Sequence, residues 1–193
     1  MSLRLRAADG SLAAWAPASP PKVLLLAETN GAGPLSAARV RAAGAAVRGA
    51  LAFLGFEPAD SAAKGCDLRV VVAPATPDEG DFAARGFSPE DFHYFCLKTH
   101  ASKPLLFSWA ALASARAELG DLRASARALS GVTLEPSSRG VIGYQHRFRE
   151  ALSRDFDFPE ALSCVWDGLR PGALSPGSKA AFLRAALPAL GLD

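Results

Sequence analysis

One strand–helix–strand unit can be read in this chain, and nothing after it resumes the alternation, which limits the sheet the chain can build. Lys22-Val-Leu-Leu-Leu-Ala27 is a short apolar run of the kind that forms a strand covered on both faces. Glu28-Thr-Asn-Gly-Ala-Gly-Pro34 is a turn. Residues 36–56 then place Val40, Ala43, Val47, Leu51 and Leu54 at helical spacing, with Gly55 as the stop. Asp67-Leu-Arg-Val-Val-Val-Ala73 is a second strand, rich in β-branched residues. Strand, crossover helix and strand make a parallel, right-handed unit. Ahead of it, residues 3–15 alternate loosely around Asp9-Gly10, a hairpin-turn dipeptide. Such a chain is expected to build a sheet of fewer than five strands.

Beyond residue 73 the pattern turns helical. Residues 74–86 are irregular and acidic and read as a linker. Ser88-Pro-Glu-Asp91 opens a helix, with Ser as N-cap, Pro at the first position and acids in the first turn. Ser108 caps a long helix expected to reach about residue 130, and two more are expected over residues 144–154 and 159–169. Pro176 starts the last, which runs to about residue 190, with Pro188 expected to fray or kink its final turn. The expected fold class is therefore α/β followed by all-α. Residues 1–80 form a small α/β part and residues 86–193 an antiparallel bundle of four or five helices, with no strand after residue 86.

Composition excludes other classes. A chain of 193 residues buries a core without needing disulfides or a structural metal. No apolar stretch approaches the roughly 20 residues of a membrane span. The opening MSLRLRAADGSLAAW lacks the apolar centre of a signal peptide. Cys66, Cys96 and Cys164 are odd in number and far apart, which fits free thiols in a reducing compartment and a cytoplasmic location. A net charge of +2 is too mild to announce a nucleic-acid binder by itself.

More specific signals lie in the second half. Gly86-Phe-Ser-Pro-Glu-Asp-Phe-His-Tyr-Phe-Cys-Leu-Lys-Thr-His-Ala-Ser-Lys-Pro-Leu-Leu-Phe-Ser108 has a Gly-aromatic-Ser-Pro-Glu helix start, then His, then Pro-Leu-x-Phe-Ser. In Arg147-Phe-Arg-Glu-Ala-Leu-Ser-Arg-Asp-Phe-Asp-Phe-Pro-Glu-Ala-Leu162 an acidic stretch leads into Pro-Glu-Ala-Leu. Leu3-Arg-Leu, the proline-rich approach to Val23-Leu-Leu-Leu, and Ala52-Phe-Leu-Gly-Phe56 precede them. In this order the segments resemble cysteinyl-tRNA synthetases of class I. The resemblance implies a truncated paralogue: a small Rossmann-like βαβ remnant, most of the catalytic domain missing, and the DALR-type helical bundle kept.

Departures from that family are as informative. Its ATP-holding His-Ile-Gly-His signature would fall on Pro34-Leu35-Ser36-Ala37, where both imidazoles are gone. Its Lys-Met-Ser-Lys-Ser loop would lie shortly before Gly86, where Pro74-Ala-Thr-Pro-Asp-Glu-Gly-Asp81 has no lysine and three acids. The first zinc-binding cysteine would stand at the end of the first strand, where this chain has Leu25 to Ala27. The resemblance therefore implies a protein without aminoacylation activity and without catalytic residues. It would bind tRNA or another RNA, or dock on a protein. The alternative is a residual enzyme that binds ATP or an aminoacyl-adenylate in the altered pocket.

Candidate binding residues follow. Asn30, Gly31, Gly33 and Ser36, between strand and helix, could offer amides to a phosphate, although a plain β–α turn is the better reading. Arg116, Arg123 and Arg127 lie on one face of the long helix, and His146, Arg147, Arg149 and Arg154 make a second basic group. A solvated charged face is the plain reading of both, while in the resembling family this bundle leans on tRNA. His93, Cys96 and His100, at i, i+3 and i+7, would share one helix face. No fourth ligand is evident, and structural zinc takes four, so no metal is expected. Trp109 and Trp166 read as bundle core. Asp155, Asp157 and Glu160 read as cap and first-turn acids, and no Ser-His-Asp set is legible.

Overall fold

The computed structural model describes residues 3–7, 9–28, 33–61, 66–78 and 80–192. The chain opens as a hairpin, β1 (Leu3–Arg6) antiparallel to β2 (Leu12–Trp15). In its turn the Asp9 carboxylate accepts from the Ser11 amide at 2.9 Å, and Gly10 takes φ 84°, a conformation that costs a residue without Cβ nothing.

β3 (Lys22–Ala27) is the middle of a three-stranded parallel sheet, flanked by β4 (Glu57–Asp60) and β5 (Leu68–Val70). Val23 and Leu25 are buried against α1 (Pro34–Leu54), whose end is set by Gly55 at φ 94°. The crossover from β3 through α1 leads first to β4 and only then to β5. β4 escapes sequence reading because Glu57-Pro-Ala-Asp60 has no β-branched residue. It exists through its pairing with β3, and its proline is tolerated because β4 is an edge strand.

A second expectation is overturned nearby. Residues 74–86 are not simply a linker: β6 (Ala75–Thr76) pairs in parallel with β7 (Leu105–Leu106), so a strand does lie beyond residue 86. The Leu105 amide donates to the Pro74 carbonyl at 3.0 Å and the Phe107 amide to the Thr76 carbonyl at 2.9 Å. Proline at 104 and an N-cap at Ser108 leave the residues between them extended and ready to pair.

The helices are α2 (Pro89–Leu97), α3 (Trp109–Ala128), α4 (Arg139–Ser153), α5 (Phe158–Leu169) and α6 (Pro176–Ala189). Each is capped by a side-chain oxygen, from Ser88, Ser108, Ser138, Asp157 and Ser175 in turn. Ser138 starts α4 at Arg139, ahead of the expected residue 144. Pro188 lies within the last turn of α6, which runs on to Ala189. That turn crosses α1 so closely that a Cβ on Gly49 would stand 2.3 Å from the Pro188 carbonyl oxygen. Among the described residues no helix is long and apolar enough to cross a membrane.

One cluster of buried side chains runs from Leu3 to Leu192 and joins sheet to bundle. Phe148 of α4 meets Phe53 of α1 edge-on at 5.2 Å and Phe182 of α6 at 5.8 Å. Arg39 of α1 is 1% exposed. Its guanidinium donates to the carbonyls of Ala73 at 2.6 Å, His100 at 3.0 Å and Pro74 at 3.4 Å, so it pins the β5–β6 segment to the loop after α2.

His93 is a second buried anchor. Its Nε2–H donates to the Leu190 carbonyl at 2.8 Å and holds the end of α6. Burial lowers its pKa, and the opposing pull of that carbonyl and of Glu90 does not restore it. The folded protein therefore takes up a proton at His93 less readily than the unfolded chain, so stability from this group falls as pH drops below about 6.5. We expect the melting temperature to decline between pH 7.5 and 5.5, and to decline less in His93→Gln. Melting curves across that range check this, and equal declines in both proteins would refute it.

Candidate functional site

Three places deserve chemical scrutiny: the start of α1, the arginine rows, and a corner where the loop after α2 meets the turn between α4 and α5.

The first turn of α1 holds Pro34, Leu35, Ser36 and Ala37, with Gly33 as N-cap. A helix start leaves amides without partners and carries partial positive charge. Here Asp78 supplies the anion. Its Oδ1 accepts from the Ser36 amide at 2.7 Å. Burial alone would raise the Asp78 pKa, but hydrogen bonds from the Ser36 side chain and from the Ser36, Gly33 and Leu35 amides outweigh it and hold the carboxyl below the usual range. A Cβ on Gly33 would stand 2.6 Å from the Asp78 carboxyl carbon, so glycine makes room for this contact. Ser36 Oγ also accepts from the Ala75 amide at 2.9 Å. Of the residues expected to meet a phosphate, Gly33 and Ser36 thus hold Asp78 and β6. Asn30 and Gly31 lie outside the described residues.

Most of the arginines are already engaged. Arg116 donates to the Gly86 carbonyl at 3.3 Å and lies 5.6 Å from the Phe87 ring centre. Arg123 pairs with Glu90, whereas Arg127 is exposed and makes no ion pair among the described residues. Arg147 pairs with Asp167 at 3.3 Å. Arg149 donates to the Phe53 carbonyl at 3.2 Å, and Arg154 pairs with Glu150 one turn away at 2.9 Å. The two rows stand on helices with different neighbours: α3 packs on α2, and α4 packs on α5, α6 and α1.

His93, Cys96 and His100 do not share a helix face, because α2 ends at Leu97 and His100 lies in the loop beyond it. Cys96 is buried, and burial pushes its thiol up to about 12 despite the nearby Arg39. Trp109 and Trp166 are partly buried against the core, the latter donating Nε1–H to the Tyr94 hydroxyl at 2.9 Å. Among the described residues no three His, Cys, Asp or Glu side chains are placed to hold a metal ion.

The third place is one that sequence reading missed. His100 Nδ1 lies 2.8 Å from Ser102 Oγ, and its Nε2 lies 3.6 Å from Asp155 Oδ2. Asp157 caps α5 and Glu160 stands in its first turn, as expected, but Asp155 is not a cap. Its carboxylate accepts from the Arg6 amide at 2.8 Å and from Arg6 Nε at 3.1 Å. Asp155 and Phe156 both adopt left-handed backbone, at φ 55° and 52°. Non-glycine residues hold this conformation only when their surroundings enforce it. The enforcing contact is the Asp155 amide, which donates to the Arg4 carbonyl of β1 at 2.7 Å. Two cavities of about 540 and 450 Å³ meet at Arg6, His100, Ser102 and Asp155.

The chain is 36% identical over 84 residues to a cysteine–tRNA ligase of Pectobacterium carotovorum, covering 44% of this chain and 18% of that protein. It is 32% identical over 108 residues to one from Polynucleobacter necessarius (55% and 22%), and 31% identical over 127 residues to one from Treponema pallidum (56% and 24%). No protein-family model matches the chain. The matched segment is thus about a quarter or less of each ligase. Over about half of its own length, this chain is similar in sequence to the cysteine–tRNA ligases.

Proposed function

We propose that this chain is a cysteinyl-tRNA synthetase-like protein that has no aminoacylation activity and works in the cytoplasm as an RNA-binding module. In this reading residues 1–80 are a Rossmann-like remnant and residues 86–193 a DALR-type bundle. The observation that carries the loss of activity is Asp78. The helix start that the resemblance assigns to ATP bears Pro34-Leu35-Ser36-Ala37, and its amides are spent on the protein's own carboxylate. A phosphate arriving there would meet a negative charge instead of free donors.

RNA is the favoured partner because the relatives are tRNA ligases by name and because Arg127, beside Arg123 on α3, is exposed and makes no ion pair among the described residues. With Arg116, Arg147, Arg149 and Arg154 held by carbonyls or acids, few phosphates would be neutralised. We expect tRNA to bind with Kd of about 10⁻⁴–10⁻⁶ M at physiological salt, more tightly at low salt and more weakly as salt rises. Replacing Arg123 and Arg127 together by Glu should abolish the mobility shift yet leave the melting temperature nearly unchanged, since exposed ion pairs add little stability. A shift indifferent to salt and to the double substitution, or none at low salt, would refute RNA binding and favour docking on a protein.

A further inference from the structure

We propose that Ser102, His100 and Asp155 form a nucleophile–base relay that cleaves carboxylic esters with an apolar acyl half. This goes beyond the module described above and does not rest on it.

The hydrogen bonds fix the roles. The Ser102 amide donates to His100 Nδ1 at 3.3 Å, so Nδ1 carries the lone pair and the ring proton sits on Nε2. The Ser102 hydroxyl, nearer at 2.8 Å, shares that one lone pair with the amide, while Nε2–H faces the Asp155 carboxylate. That is the logic of a catalytic triad, which is recognised by roles and geometry and recurs in unrelated chain orders. Asp155 is a positioning residue held by two donors from Arg6, and its left-handed backbone is the kind of strain that collects at functional sites. The 3.6 Å gap to His100 is of the loose kind seen before a substrate tightens a site.

The surroundings select the substrate. Ser102 is exposed and stands where the two cavities meet. The larger is walled by Leu5, Val47, Val72, Phe156 and Phe158 and suits an acyl chain. The smaller is lined by Lys98, Lys103 and Arg154 together with Asp155 and Asp157, with Lys98 and Arg154 paired to Glu118 and Glu150, and its mixed charge suits a polar alcohol half.

The chemistry closes on itself with water alone. Ser102 Oγ attacks the ester carbonyl carbon and its proton passes to Nδ1. The carbon–alkoxy bond breaks, and the alkoxide takes that proton and leaves as the alcohol. Water then attacks the acyl-serine, giving a proton to Nδ1 that returns to Oγ as the acid departs.

Treatment of the full chain with an alkyl fluorophosphonate, read by mass spectrometry, tests this directly. Ser102 should be phosphonylated with loss of fluoride. His100→Gln should slow labelling by about a hundredfold or more. Hydrolysis of p-nitrophenyl butyrate should fall to background in Ser102→Ala, a change at an exposed position that leaves the core untouched. An unlabelled Ser102, equal labelling rates in His100→Gln, or unchanged ester hydrolysis in Ser102→Ala would overturn the proposal.

Discussion

Replacing Arg39 by methionine should cost about 1–3 kcal/mol of stability and lower the melting temperature by roughly 5 °C. The side chain is 1% exposed and has no carboxylate partner among the described residues. Burial lowers its pKa, yet a guanidinium stays charged even so. It is tolerated because the carbonyls of Ala73, Pro74 and His100 surround it. Methionine matches its length and apolar stem but donates nothing, so the half-buried Ala73 carbonyl loses its donor, while the Pro74 and His100 carbonyls keep the amides of Leu105 and Lys103. Each orphaned buried acceptor costs about 1–3 kcal/mol. Arg39→Lys should recover only part of the loss, because one ammonium cannot match the planar fork. Denaturant titration of the three proteins decides this. A loss under about 1 kcal/mol in the methionine variant would mean that water or a shifted loop replaces the guanidinium.

Arg39 also shows where sequence reading stops. In the sequence it is one of three arginines on α1, and nothing near it names its acceptors, which come from residues 73, 74 and 100. Local signals were legible wherever the cause is local. The hairpin around Asp9-Gly10, the caps at Ser88 and Ser108, the stop at Gly55 and the α/β-then-helical order all rest on neighbours in the chain. What was not legible depends on distant pairing. β4 forms on β3 against its own propensity, and β6 finds β7 across the whole of α2.

The candidate sites divide in the same way. Ser36 was placed correctly at the head of α1, but the carboxylate that meets it comes from Asp78, 42 residues on. Asp155 looked like a cap because Pro159 follows, and the turn before α5 instead bends left-handed and delivers it to Arg6 and His100. Ser102 and His100 were visible as neighbours. Their alignment with Asp155 is a product of folding that no spacing announces.

The most direct test of the account is cysteine-dependent ATP–pyrophosphate exchange. Adenylation needs donors where charge builds on the α-phosphate, and losing one typically costs about 10²–10³ in rate. This chain bears Pro34 and Ala37 where the resemblance expects imidazoles, and no lysine between Pro74 and Asp81. The amides that remain at the start of α1 are held by Asp78. These losses bear on the same transition state, so exchange should be indistinguishable from a no-protein control. Asp78→Asn, which removes the charge and keeps the shape, should not restore it. Exchange by the wild-type chain at even about a hundredth of the rate of an intact cysteine–tRNA ligase would contradict the account.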